Sequence, residues 1–136
     1  MFGFSTDPIN KVRVGIIGLG NRGNTLLEMF QYLIKNNFAE IVALSDISFK
    51  KVKKAADKLS LWQKLEAVTY YKSDNEWKKL AKRDDIDLVI ISTPWKLHAP
   101  MSIYCMQNNK HVASEVPIAL TIEDCWKIIH TSELTQ

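Results

Sequence analysis

Three glycines at positions 18, 20 and 23, in the stretch GIIGLGNRG, constrain this chain more than any other feature. Glycine admits tight turns and close backbone approach, so its placement between two regular elements carries information. Ahead of the glycines, VRVGII (Val12 to Ile17) is a continuous apolar run, as a strand buried on both faces of a sheet must be. Behind them, Leu26, Leu27, Phe30, Leu33 and Ile34 recur at helical spacing and predict a helix from about Asn24 to Lys35. Buried strand, glycine turn and helix in that order belong to a parallel sheet with crossover helices.

The rest of the chain repeats the alternation. EIVALSD (Glu40 to Asp46) reads as a second strand, and a lysine-rich helix follows from Phe49 to Leu59 with Val52, Ala55, Ala56 and Leu59 facing inward. AVTYY (Ala67 to Tyr71) is a third strand and NEWKKLAK a short helix. DLVIIS (Asp87 to Ser92) is a fourth strand, apolar throughout, followed by a helix from about Ala99 to Asn108. HVASE (His111 to Glu115) is the fifth strand. Thr121 then opens the last helix as an N-cap, with Asp124 in the first turn. The expected fold is one α/β domain over residues 1–136, a Rossmann-like doubly wound parallel sheet. Such sheets run in the order 3-2-1-4-5-6, and no sixth strand is legible. The expectation is therefore an N-terminal fragment of a longer protein, a sheet missing its last strand or strands, and a homo-oligomer that pairs through the open edge or associates in some other way.

Composition removes other classes. Eighteen basic residues against fifteen acidic ones leave a net charge of +3. That is too small and too evenly spread for a nucleic-acid or anionic-membrane surface. No apolar stretch approaches the roughly 20 residues of a membrane span. The opening MFGFSTDPIN has neither a basic end nor a long apolar core, so it is not a secretory leader as written. The compartment reads as cytoplasmic as written, and periplasmic or exported if a leader has been removed. Cys105 and Cys125 have no metal-ligand spacing and read as free, buried thiols of a reducing compartment. No metal cluster, Ser–His–Asp set or pair of catalytic carboxylates is legible.

The glycine turn has a chemistry of its own. Gly18 permits the tight turn, Gly20 lets a diphosphate approach the backbone, and Gly23 lets the helix pack close to the strand. The diphosphate would meet unpaired N–H groups and partial positive charge at the helix start, beside Asn21 and Arg22. Asp46 ends the second strand about twenty residues later, where a carboxylate accepts from ribose hydroxyls and repels a 2′-phosphate. This combination points to a dinucleotide and favours NAD over NADP. Lys50 and Lys51 lie near enough to blur that preference, and read otherwise as a solvated helix face.

A second cluster falls where ligands of open parallel sheets bind, outside the carboxyl ends of the strands. STPWKLHAP (Ser92 to Pro100) leaves the fourth strand there and SEVP (Ser114 to Pro117) the fifth. Pro94 stiffens its loop beside Thr93. Trp95 offers a flat apolar face or a lid over the core, and Lys96 and Leu97 follow it. His98 is either a titratable ring at the site or a capping or packing residue. Glu115 is a site carboxylate or an acceptor for nearby backbone N–H groups. His111 and His130 read as structural.

With these residues in view, the chain resembles the N-terminal half of the Gfo/Idh/MocA family of NAD(P)-dependent oxidoreductases. The marks are VRVGIIGLGNRG, VALSD, DLVIISTPWKLHAPM and NKHVASEVP. Common members read Thr-Pro-Asn where this chain has Thr93-Pro94-Trp95, and Glu-Lys-Pro where it has Glu115-Val116-Pro117. In those members the lysine helps position and polarise the reacting hydroxyl, and Val116 can do neither. Both departures, together with Arg22 and TIEDCWKI, are similar to glycoside hydrolase family 109, whose named activity is α-N-acetylgalactosaminidase.

The resemblance implies an enzyme that oxidises a sugar 3-hydroxyl by hydride transfer to NAD. It then eliminates the aglycone, adds water and returns the hydride, unlike a glycosidase built on two carboxylates. It makes Arg22 and Gly23 contacts on the pyrophosphate side and Asp46 the ribose anchor. Trp95 to His98 with Glu115 and Val116 would line the nicotinamide half. The carbohydrate-binding and catalytic residues would lie in a C-terminal α+β domain with no counterpart here, so no catalytic residue is expected in this chain. Two readings stay open beside it: a conventional NAD-dependent sugar or polyol dehydrogenase, and a non-catalytic NAD-sensing or partner-binding module.

Overall fold

A computed structural model describes residues 9–135 of the chain. The first eight residues, on which the reading of the chain start rests, lie outside the described residues. Among the described residues five strands alternate with five helices: β1 (Val12–Ile17), α1 (Asn21–Lys35), β2 (Ala39–Ser45), α2 (Phe49–Leu59), β3 (Val68–Tyr70), α3 (Trp77–Ala81), β4 (Leu88–Ile91), α4 (His98–Gln107), β5 (His111–Ser114) and α5 (Ile122–Leu134). A short 3-10 turn at Trp95–Leu97 leads into α4.

Every strand pair is parallel, in the order β3-β2-β1-β4-β5. The reversal of direction at β1 creates the switch point of a doubly wound sheet between β1 and β4. The apolar runs divide by the two-residue period of a strand, interrupted in β2 where the pairing with β1 shifts register between Ile41 and Ala43. On one face Val14, Ile16, Ile41, Leu44 and Ile90 pack with Leu27 of α1 and Val52 and Leu59 of α2. On the other, Ile17, Val42, Val89 and Ile91 pack with Leu80 of α3 and Met101 and Cys105 of α4. Burying each of these large side chains contributes about 1.5–3 kcal/mol before chain entropy is subtracted. A charged clasp ties β1 to β4. Both Asp87 carboxylate oxygens accept from the Arg13 guanidinium, at 3.0 and 2.6 Å, and one also accepts from the Arg13 backbone N–H. Arg13 holds the Asp87 carboxyl below the usual carboxylate range.

Two expectations are revised. Helix α1 begins at Asn21 rather than Asn24, because the Asn24 N–H already donates to the Gly20 carbonyl at 2.9 Å. That first turn carries no apolar stripe, so periodicity could not reveal it. Cys125 is exposed, whereas Cys105 is buried as expected. Helix α5 buries little of its own surface, with Thr131 as its buried residue while Ile122 and Trp126 stand 78% and 66% exposed. Burial in α4 pushes the Cys105 thiol up to about 12. Among the described residues the fifth strand is paired on one side only.

Candidate functional site

Because these five strands run in one direction, their carboxyl ends share one edge, and a broad cleft opens there. Its volume is about 820 Å³, within the range of small-molecule sites. Gly18, Gly20, Asn21 and Arg22 line it from the β1–α1 turn, and Ser45, Asp46, Ile47 and Lys51 from the β2–α2 connection. Ser92, Thr93, Pro94, Lys96 and Leu97 line it from the segment after β4.

Each glycine of the turn meets different surroundings. Gly18 has φ +92°, and a Cβ on it would lie 2.7 Å from the Ser92 backbone. A Cβ on Gly23 would lie 2.0 Å from the Gly18 carbonyl oxygen, so α1 and the end of β1 touch at that point. At Gly20 nothing lies within 4 Å of the same position. This open space fronts the N-terminus of α1, where no side chain caps Gly20 and the first turn carries no acidic residue. The leading N–H groups of a helix have no intrahelical partners and carry partial positive charge, so the space suits an anion. The Asn24 amide braces the turn by donating to the Leu19 and Gly20 carbonyls at 2.9 and 3.1 Å.

Asp46 stands beside this space in a specific clasp. One carboxylate oxygen accepts from the Leu19 N–H at 2.7 Å and the other from the Ser48 N–H at 2.8 Å. The residue therefore joins the glycine turn to the β2–α2 loop. A carboxylate has about four acceptor positions, so lone pairs remain for a vicinal diol. An uncapped helix start, an empty space in front of it and an adjacent carboxylate fit the diphosphate and adenosine ribose of a dinucleotide.

The second cluster is brought only partly to the cleft. Trp95 points to solvent, 62% exposed, and is no lid over the core. Val116 is 78% exposed. Glu115 bonds a side chain rather than backbone amides: its carboxylate accepts from Arg22 Nε at 2.6 Å, joining the start of α1 to the end of β5. His98 is a packed ring, 1% exposed, with its nitrogens 2.7 and 2.8 Å from two backbone carbonyls. Neither Lys50 nor Gly23 lines the cleft, whereas Lys51 does.

Sequence reasoning missed the contribution of the β3–α3 connection, from which Ser73, Asp74, Asn75, Trp77 and Lys78 line the cleft. The usable signal was the polar SDN run two residues after the third strand, since every strand of such a sheet delivers its following loop to the same edge. Trp77 is half-buried with its ring edge-on to Tyr104, 5.2 Å between centroids. Among the described residues no group of three or more His, Cys, Asp or Glu could hold a metal ion. No helix among them is long and apolar enough to cross a membrane.

Comparison with known proteins gives the same picture. Residues 12–136 match the model of an oxidoreductase family described as having an NAD-binding Rossmann fold. A glycosyl hydrolase family 109 protein of Porphyromonas gingivalis is 47% identical over 131 residues, covering 96% of this chain and 27% of its own length. An α-N-acetylgalactosaminidase of Shewanella oneidensis is 41% identical over 136 residues, covering 100% of this chain and 29% of its own. The chain thus spans well under a third of these curated relatives. Among solved structures, the WlbA dehydrogenase of Chromobacterium violaceum, crystallised with NADH and UDP-GlcNAcA, superposes with a TM-score of 0.81. It is 24% identical and covers 98% of this chain and 36% of its own, a likeness of fold. Biliverdin reductase from Synechocystis, in complex with biliverdin and NADP+, has a TM-score of 0.75 at 28% identity, covering 91% of this chain and 35% of its own.

Proposed function

The chain belongs to the Gfo/Idh/MocA oxidoreductase family, of which it forms an NAD-binding Rossmann domain, and from that premise we propose that it is the cofactor-holding part of a longer NAD-dependent glycosidase. The observation that carries the cofactor site is the uncapped start of α1 facing the open space at Gly20, with Asp46 clasped beside it. Identities of 47% to a family 109 protein and 41% to an α-N-acetylgalactosaminidase support the glycosidase branch over a conventional dehydrogenase. So does Val116, which has no group to polarise a hydroxyl at the position where the wider family resemblance implies a lysine.

In this reading the backbone amides of Asn21 and Arg22 hold the diphosphate and Asp46 accepts from the adenosine ribose. The β3–α3 loop borders the adenine end, and Thr93, Pro94, Lys96 and Leu97 border the nicotinamide end. Bound NAD would take a hydride from a sugar hydroxyl and return it within one turnover. This chain's share is to bind and orient the cofactor, while the carbohydrate would be held by residues of the longer protein. Copies would associate through the side of β5 that has no strand partner among the described residues.

Two measurements test the reading. Calorimetric titration of the chain should show NAD uptake and weaker NADP uptake. The full-length protein should release the chromophore from a chromogenic N-acetyl-α-galactosaminide without accumulating NADH. Net NADH build-up with a free sugar would instead establish the dehydrogenase. NAD uptake with neither activity would favour a sensing module.

A further inference from the structure

The parallel ladder between β4 and β5 ends at Ile91 opposite Ser114, with one last bond from the Glu115 N–H to the Ile91 carbonyl. Beyond it the two chains leave the sheet as separate loops. One carries Thr93, Pro94 and Leu97 into the cleft, and the other carries Glu115 to Pro117 alongside. Backbone pairing no longer sets the distance between them. Among the described residues, the side-chain hydrogen bonds that join these loops are those of His98. Its Nε2 lies 2.7 Å from the Thr93 carbonyl and its Nδ1 2.8 Å from the Pro117 carbonyl.

The ring is 1% exposed and begins α4, so its own position is set by the helix. Carbonyl oxygens only accept, so the ring must donate. A neutral imidazole donates from one nitrogen, and the ring donates to both carbonyls when both nitrogens carry protons. The contact that crosses between the loops is that of Nδ1, which as an N–H donor reaches the Pro117 carbonyl, while Nε2 faces Thr93 of His98's own segment. No aliphatic residue of similar size could make the crossing bond.

We propose that His98 is a positioning residue, which sets the spacing of the β4 and β5 loops and through it the seating of the nicotinamide ring. The inference rests on the NAD site proposed above and assigns His98 no contact with the cofactor. It predicts a split between the two halves of the ligand. The adenosine–diphosphate half is held by the α1 start and by Asp46, neither of which His98 touches. The nicotinamide half lies against the loops that His98 joins.

The test titrates NADH and ADP-ribose, which lacks the nicotinamide, into the unsubstituted chain, His98→Ala and His98→Gln. The expected result for His98→Ala is a fall in NADH affinity of roughly tenfold, the scale of one lost polar contact, with a loss of nicotinamide fluorescence enhancement. ADP-ribose affinity should stay within about twofold of the unsubstituted chain's, well inside one such contact. His98→Gln, which keeps an N–H donor, should recover part of the NADH affinity. Equal loss of both ligands, no loss of either, or failure of both variants to fold would overturn the proposal and leave His98 a strut. Failure of the unsubstituted chain to bind ADP-ribose would overturn the cofactor site itself, and this inference with it.

Discussion

Gly20 and Gly23 lie three residues apart in one turn, yet alanine at each should fail in opposite ways. At Gly23 the new methyl carbon would sit 2.0 Å from the Gly18 carbonyl oxygen and 2.8 Å from Ser92 Oγ. The first of these partners is backbone at the end of the central strand, so α1 must move away by more than about 1 Å to reach ordinary contact. Overpacking of this kind costs about 3 kcal/mol, the upper end of its usual range. With a urea m-value of about 2 kcal/mol/M, the unfolding midpoint should drop by about 1.5 M. At Gly20 the methyl meets nothing within 4 Å, and the backbone there, φ −67° and ψ −164°, is open to any residue. Stability should therefore stay within about 0.5 kcal/mol. NAD affinity should nevertheless fall at least tenfold, about 1.4 kcal/mol, because the methyl fills the space assigned to the diphosphate. Urea melts and calorimetric NAD titrations of the two variants separate the effects. Undiminished NAD binding by Gly20→Ala would refute the assignment of that space. An unshifted melt for Gly23→Ala would refute the close approach of α1 to β1.

Asp46→Ala should weaken NAD and ADP-ribose binding alike by about 1–3 kcal/mol, the scale of hydrogen bonds to a charged group, and narrow the gap to NADP. Because the carboxylate also accepts from the Leu19 and Ser48 N–H groups, the same variant should melt earlier, and unchanged titrations with both cofactors would remove it from the site. Glu115→Gln releases Arg22 and removes a negative charge beside the diphosphate seat. NAD affinity should rise by about twofold at low salt and less at high salt, since the Arg22 side chain of the pair is exposed. Asp87 has a carboxyl held low mainly by its hydrogen bond to Arg13. Its contribution is thus complete above the ordinary carboxylate range and lost as pH falls through the lower folded value. Acid unfolding followed by circular dichroism should lose steepness in Asp87→Asn, which should also cost about 1 kcal/mol at neutral pH after allowance for the exposure of Arg13.

The sequence by itself determined the order and direction of the elements. Two-residue and helical periods in VRVGII, EIVALSD, DLVIIS and the helices between them are local, and the glycine spacing after β1 admits few other turns. Helix α2 spans the residues that its periodicity indicated, and Thr121 caps α5 by accepting from the Asp124 N–H at 3.1 Å. The tertiary structure decided what the side chains at the cleft do. Arg22 and Glu115 are 93 positions apart and meet because β1 and β5 both lie beside β4. Asp46 clasps Leu19 because β2 flanks β1 in parallel register, and His98 finds the Pro117 carbonyl because α4 packs beside β5. Trp95, a cleft candidate from its position in the chain, turns outward on the 3-10 turn before α4. The physical reason is range. Hydrophobic period and turn chemistry act over a few residues and are written in the local sequence. Pairing across the edge of the sheet depends on which strands become neighbours, and that is settled only when the whole core packs.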